Sequence, residues 1–153
     1  MVCTTSSRLI ESTMPLWLIH HDPNVFSNDE KEKLAQTITQ LYVGFGLPAF
    51  YVQVQFFELP YASSFIGGEK DRAHVTLTIY HLARTMTTEA QAQRFLGAVD
   101  GILTPTFQPK ELEWEYFVTE TPRNLWKING LVPPPAGSDE EREWARINKA
   151  VKL

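Results

Sequence analysis

The chain has 153 residues, 43% hydrophobic and 21% charged, with a formal net charge of −4, which suits one globular core and is too short for two comfortable ones. Acidic and basic residues are interspersed, so there is no basic field of the kind nucleic acid or an anionic membrane requires. The single cysteine, Cys3, excludes an internal disulfide, and no apolar run approaches the ~20 residues needed to span a bilayer. A soluble, cytoplasmic protein is expected. Residues 1–13 hold Ser, Thr and one Arg without an apolar stretch, and read as a flexible extension rather than a secretory signal. A single domain over 14–153 follows, with 133–153 a Pro-rich break and a C-terminal helix.

In chain order, PLWLIHH (15–21) is an apolar run ended by Asp22-Pro23, a first strand. Ser27 and Glu30 form a capping box ahead of a helix whose stripe is Leu34, Ile38, Leu41, Tyr42 and Phe45; Gly44, Gly46 and Pro48 stop it. Residues 50–59 (FYVQVQFFEL) alternate as a second strand, and Gly67-Gly68 turns the loop that follows. Residues 74–83 put Val75, Leu77 and Ile79 on one face of a third strand. Thr87 or Thr88 opens a second helix with Ala92, Phe95, Leu96, Val99 and Leu103 as its stripe, before a loop bracketed by Pro105 and Pro109. Residues 112–120 are a fourth strand, Pro122 suits the start of a short helical turn, and Ser138 and Glu141 open a last helix near 139–149.

The chain therefore holds two tandem β-α-β units. Strands joined through a helix run parallel by a right-handed crossover. The expected fold is α+β: a four-stranded mixed sheet with two helices on one face. The bare face should be apolar and should drive self-association.

The candidate chemistry is sparse. His20 and His21 are adjacent in a strand and point to opposite faces, and His74 and His81 are an odd number of residues apart in another, so neither pair builds a metal site; no metal and no cofactor are expected. Arg84 follows the third strand, where strand-end loops build sites, although a solvated charge is the plainer reading. Arg123, in ETPRNLWKING, could clamp a carboxylate or equally stack on Trp126 or pair with Glu120. Tyr42 and Tyr116 are each more often packing residues than proton donors.

Met14-Pro15 opening a strand, the doubled β-α-β pattern, and the runs MPLWLIHH, GLPAFYVQVQF, FIGG, HLART and EWEYFVTETPRNLWKINGLVPP resemble the tautomerase superfamily. The likeness is to its cis-3-chloroacrylic acid dehalogenase group and, within that, to a fungal branch of oxalocrotonate tautomerases. The resemblance implies a homotrimer acting without a cofactor on a small carboxylate or keto substrate, with no nucleic acid or membrane partner. It implies an amino-terminal proline as acid and base, which is Pro15 if translation starts at Met14. Arg84 matches one of the group's two arginines and Tyr116 its site tyrosine. Tyr42 stands where the group has a histidine. The glutamate that activates water falls near Ile128, so hydrolytic dehalogenation and hydration are not expected; Arg123 and Asn129 lie nearby and could bind a different substrate. If the chain runs from Met1, Pro15 is an amide without basicity. The alternatives are then a fungal secondary-metabolism cyclase or isomerase that does not use the proline amine, or an inactive binding protein of the same fold.

Overall fold

The computed structural model describes residues 15–70, 73–81 and 86–153, with the side chain of Arg123 excepted. Residues 1–14, Arg84 and the predicted tail of the third strand at Leu82-Ala83 lie outside the described residues. The first unit comprises β1 (Leu16–His21), α1 (Asn28–Gly44) and β2 (Gln53–Glu58). The second comprises β3 (His74–His81), α2 (Glu89–Phe107) and β4 (Glu113–Glu120), and α3 (Asp139–Ile147) closes the chain. The sheet order is β2-β1-β3-β4. β1 runs parallel to β2 and β3 parallel to β4, while the central β1–β3 pair is antiparallel.

Local chemistry explains the helix starts. Ser27 and Glu30 satisfy each other's backbone N–H groups at the head of α1, and Thr88 and Gln91 do the same for α2, each cap contributing about 1 kcal/mol. Both helices cover one face of the sheet. Trp17, Ile19 and His21 of β1 and Val75, Leu77 and Ile79 of β3 are fully buried there, against Leu34, Ile38 and Tyr42 of α1 and Phe95, Val99, Leu103 and Phe107 of α2.

Three expectations change. Residues 50 and 51 form not strand but part of a 3-10 turn, Ala49–Tyr51, so β2 begins at Gln53; Tyr51 is thereby buried against Trp144 and Trp126. Pro105 does not end α2, which runs on to Phe107. The proline faces solvent, where the carbonyl it leaves unpaired can meet water, and burial of Leu103 and Phe107 on the opposite side outweighs the lost bond. The bare face is also less apolar than expected. Strand alternation sends Val75, Leu77 and Ile79 under the helices and leaves Gln53, Gln55, Thr76, Thr78, Glu113 and Glu115 outside, among Leu16, Leu18, Phe57, Tyr80 and Phe117.

Candidate active site

One end of the sheet gathers the start of β1, the start of β2 and the ends of β3 and β4. Pro15 is buried there, and its carbonyl accepts the Gln53 N–H at 2.9 Å. The β1–β3 pairing of Leu16 with Tyr80, carried one residue back, sets Pro15 opposite His81. His81 in turn pairs with Glu120. All three side chains lie on the helix-covered face, because they share the parity of Trp17, Ile79 and Val118. A row Pro15–His81–Glu120 therefore crosses the sheet end.

α1 closes this row from above. Tyr42 is fully buried, its hydroxyl accepts the Trp17 indole N–H at 3.0 Å, and its ring lies 6.1 Å from that of His81. Burial drives the Tyr42 phenol well above its ordinary range, against the opposing pull of the Trp17 donor, so it stays protonated. Phe95 of α2 packs on the other side of His81 at 4.3 Å between ring centroids. The Glu120 carboxylate accepts the Met86 N–H and anchors the chain entering α2.

Tyr116 is not in this row. It pairs with Leu77, and Leu77 with Ile19, which places it four residues along the strand direction from Pro15, about 13 Å, and two strands across. Its hydroxyl donates to Asp100 on α2 at 2.8 Å. Desolvation, and then the Asp100 carboxylate, push its phenol up to about 12. Asn129 is exposed and occupies the first position of a two-residue hairpin. Its φ is 50°, that of Gly130 is 79°, and Ile128 and Leu131 exchange both backbone bonds at 2.9 and 2.8 Å. That is the Asn-Gly turn signal, overlooked in the sequence, and it accounts for the residue type. Ile128 and Leu131 pack on the core beside Trp126. The Trp126 ring meets Tyr51 edge-on at 5.3 Å, and its buried indole nitrogen has no hydrogen-bond partner among the described residues. Arg123 lies in the 3-10 turn Arg123–Leu125 just past β4. Arg84 lies outside the described residues.

Of the sequence candidates, Pro15 and Tyr42 come together, whereas Tyr116 and Asn129 stand apart from them within one chain. His81 and Glu120 were missed. Strand parity marks both as inward-facing, but only the antiparallel β1–β3 pairing, which the sequence does not reveal, brings them to Pro15. Among the described residues, no group of three or more His, Cys, Asp or Glu could hold a metal ion, and no helix is long and apolar enough to cross a membrane.

Residues 14–149 match a family described as "Putative oxalocrotonate tautomerase enzyme". The chain belongs to this tautomerase family. A solved structure described as "a probable enzyme from the thermophilic fungus Aspergillus fumigatus" is 62% identical, with 93% of this chain and 99% of that one covered and a TM-score of 0.89. Native RhCC from Rhodococcus jostii RHA1 is 35% identical over 90% of this chain and 99% of its own, with a TM-score of 0.86. A member of the cis-3-chloroacrylic acid dehalogenase family, N1, shares the fold at 21% identity and a TM-score of 0.66, over 84% of this chain and 89% of that one. No curated protein matches.

Proposed function

We propose that this tautomerase-family protein is a cofactor-free isomerase or lyase of small enolisable keto or unsaturated carboxylic acids, with Pro15 as acid and base in the form of the chain that begins there. The observation that carries the reading is the buried position of Pro15 at the convergent sheet end, in a chain of this family. An ordinary α-amino terminus titrates near 7.7–8 in water, and a dry site lowers the value of a terminal amine by disfavouring its charged form. The neutral amine takes a proton from carbon next to a carbonyl, the C–H electron pair forms the enolate, and the resulting prolinium returns the proton at oxygen or at a different carbon. Arg84 and Arg123 pair with the substrate carboxylate. Neutral Tyr42, and Tyr116 contributed from a neighbouring subunit, serve as hydrogen-bond donors in a homotrimer. Asn129 shapes the loop that carries Arg123. Dehalogenation and hydration are disfavoured, because Ile128, where a water-activating carboxylate would stand, is an apolar residue pinned in a hairpin.

The test is ketonisation of phenylpyruvate enol or 2-hydroxymuconate by the form beginning at Pro15, beside the full chain. The expected result is turnover by the first that is abolished by Pro15→Ala or by a reagent for secondary amines. A folded trimer with no rate above buffer would overturn the reading.

A second reading has its own support. The part-buried Tyr116, its hydroxyl on Asp100, suits a site that binds or cyclises a substrate by shape without the proline amine. That reading expects Pro15→Ala in the full chain to leave activity intact.

A further inference from the structure

We propose that Asn129-Gly130 is a site of self-modification: the Gly130 backbone nitrogen attacks the Asn129 carboxamide and converts the residue, irreversibly, into aspartate and isoaspartate. The proposal is independent of which reading of the function holds.

The sequence has five asparagines, and only Asn129 is followed by glycine. A backbone nitrogen reaches the preceding side chain most readily when its own residue carries no Cβ to crowd the approach. The fold places this pair at the tip of the Ile128–Leu131 hairpin, where both residues are exposed. The tip is closed by two backbone bonds, Ile128 N–H to the Leu131 carbonyl at 2.9 Å and Leu131 N–H to the Ile128 carbonyl at 2.8 Å. Neither uses the Gly130 N–H. Among the described residues, nothing holds that N–H or the Asn129 carboxamide. Nucleophile and electrophile are therefore neighbours in the chain, unrestrained and open to water. Asn148 is the opposite case: its Oδ1 accepts the Phe50 N–H at 2.9 Å, and a lysine follows it.

A twin turn shows that the hairpin does not require an asparagine. Ile66 follows the end of β2 at Glu58 by the same interval as Ile128 follows the end of β4 at Glu120. Ile66 and Glu69 exchange the same two bonds, at 2.8 and 3.0 Å, around Gly67-Gly68. The φ values there are 61° and 83°, beside 50° and 79° for Asn129 and Gly130. Such a turn needs left-handed backbone at both central positions, which glycine supplies without steric cost. What position 129 adds to the shared geometry is a carboxamide.

The chemistry balances with water and hydroxide alone. Hydroxide takes the Gly130 amide proton, and the nitrogen's electron pair forms a bond to Asn129 Cγ. The Cγ–Nδ2 bond breaks, and its nitrogen leaves as ammonia after taking a proton from water. A cyclic imide remains. Water then opens it at the side-chain carbonyl to give aspartate, or at the main-chain carbonyl to give isoaspartate; nothing is oxidised or reduced. Either product puts a negative charge on the loop that carries Arg123. Isoaspartate also routes the main chain through the side-chain methylene. A two-residue turn then no longer fits between Ile128 and Leu131, and the pairing that seats both on the core is lost.

The test ages the purified full-length chain in mildly alkaline buffer and digests it with trypsin. Cleavage after Lys127 and Arg142 releases residues 128–142, which contain no other amide side chain. This peptide should resolve into parent, aspartyl and isoaspartyl forms, the last identified by an isoaspartate-specific methyltransferase. Conversion at Asn129 should run about tenfold or more ahead of that at Asn24, Asn28, Asn124 and Asn148, whose successors all carry a Cβ, and it should quicken as pH rises. Asn129→Gly, which copies the twin turn, should leave the peptide unchanged. Amide hydrogen exchange at Ile128 and Leu131 should accelerate in the aged wild type and stay constant in the aged variant. An intact Asn129 after a period in which a synthetic peptide of residues 124–134 has fully converted overturns the proposal. So does conversion at Asn129 no faster than at the other four asparagines.

Discussion

The Trp17–Tyr42 bond shows how much depends on single buried polar atoms at the site. Tyr42→Phe keeps the ring and removes the acceptor, leaving the Trp17 indole N–H buried and unpaired. An orphaned buried donor costs roughly 1–3 kcal/mol, so the unfolding free energy from urea titration should fall by that amount, whereas Trp17→Phe combined with Tyr42→Phe should recover part of the loss. Asn129 is a simpler case. Its left-handed φ of 50° suits Asn or Gly and costs a β-branched residue about 1–2 kcal/mol. Asn129→Gly should be neutral in a thermal melt and Asn129→Val clearly destabilising, with turnover affected only through Arg123 in the same loop. At this scale sequence and structure part company. Tyr42 and Tyr116 are both visible in the sequence as amphipathic residues, yet what each hydroxyl meets, an indole in one case and a carboxylate in the other, depends on tertiary neighbours that no local pattern encodes.

Among the elements, both long helices were legible because their caps and stripes obey local rules, and so was the glycine stop of α1 at Gly44, whereas the end of α2 was not. Pro105 reads as a stop, but a helix end is decided by what the last turn buries, and here that is Phe107. Pro105→Ala restores an N–H donor in an exposed turn. The ~3 kcal/mol cost of an interior proline, less the ~1 kcal/mol its rigidity takes from the unfolded state, leaves an expected gain of about 1–2 kcal/mol in urea unfolding. The two helices are also tied at one end: Lys110, just past α2, lies 2.6 Å from Glu30 in the first turn of α1. The Lys110 hydrogen bond, foremost, holds the Glu30 carboxyl below its ordinary 4.5. A depressed folded-state value means the bridge stabilises above that ordinary value and is lost as pH falls through the folded one. Both side chains are partly exposed, so the contribution is under about 1 kcal/mol. Wild type should exceed Lys110→Met slightly in stability near neutrality, and the gap should close at acid pH.

On the scale of the whole molecule, the fold class was readable from alternating strand and helix patterns, and the direction of the central strand pair was not. A crossover helix dictates that β1 and β2 run parallel; nothing local dictates how two such units meet. That one undetermined pairing decides which residues share the sheet end with Pro15, which is why the site was less legible than the architecture. It also decides what the open face displays. Phe57, stacked on His20 at 4.9 Å between ring centroids, and Phe117, paired with Thr78, are 41% and 54% exposed there. If this face packs against other copies of the chain, Phe57→Glu and Phe117→Glu should each lower the sedimentation coefficient from that of the assembly toward that of a single chain without loss of secondary structure. An unchanged assembly would place the contact elsewhere.

The backbone bond from Gln53 to the Pro15 carbonyl has a twin in the other half of the chain, where the Glu113 N–H donates to the Ala73 carbonyl at the same 2.9 Å. The two halves thus repeat the same doorway, but one is fitted with an imino acid and the other with a methyl group. The chain thus has two matching thresholds, and in the proposed function only the one at Pro15 would supply a reactive nitrogen. Stoichiometric secondary-amine labelling of the form beginning at Pro15 should therefore saturate at one equivalent per polypeptide, with none at the Ala73 threshold.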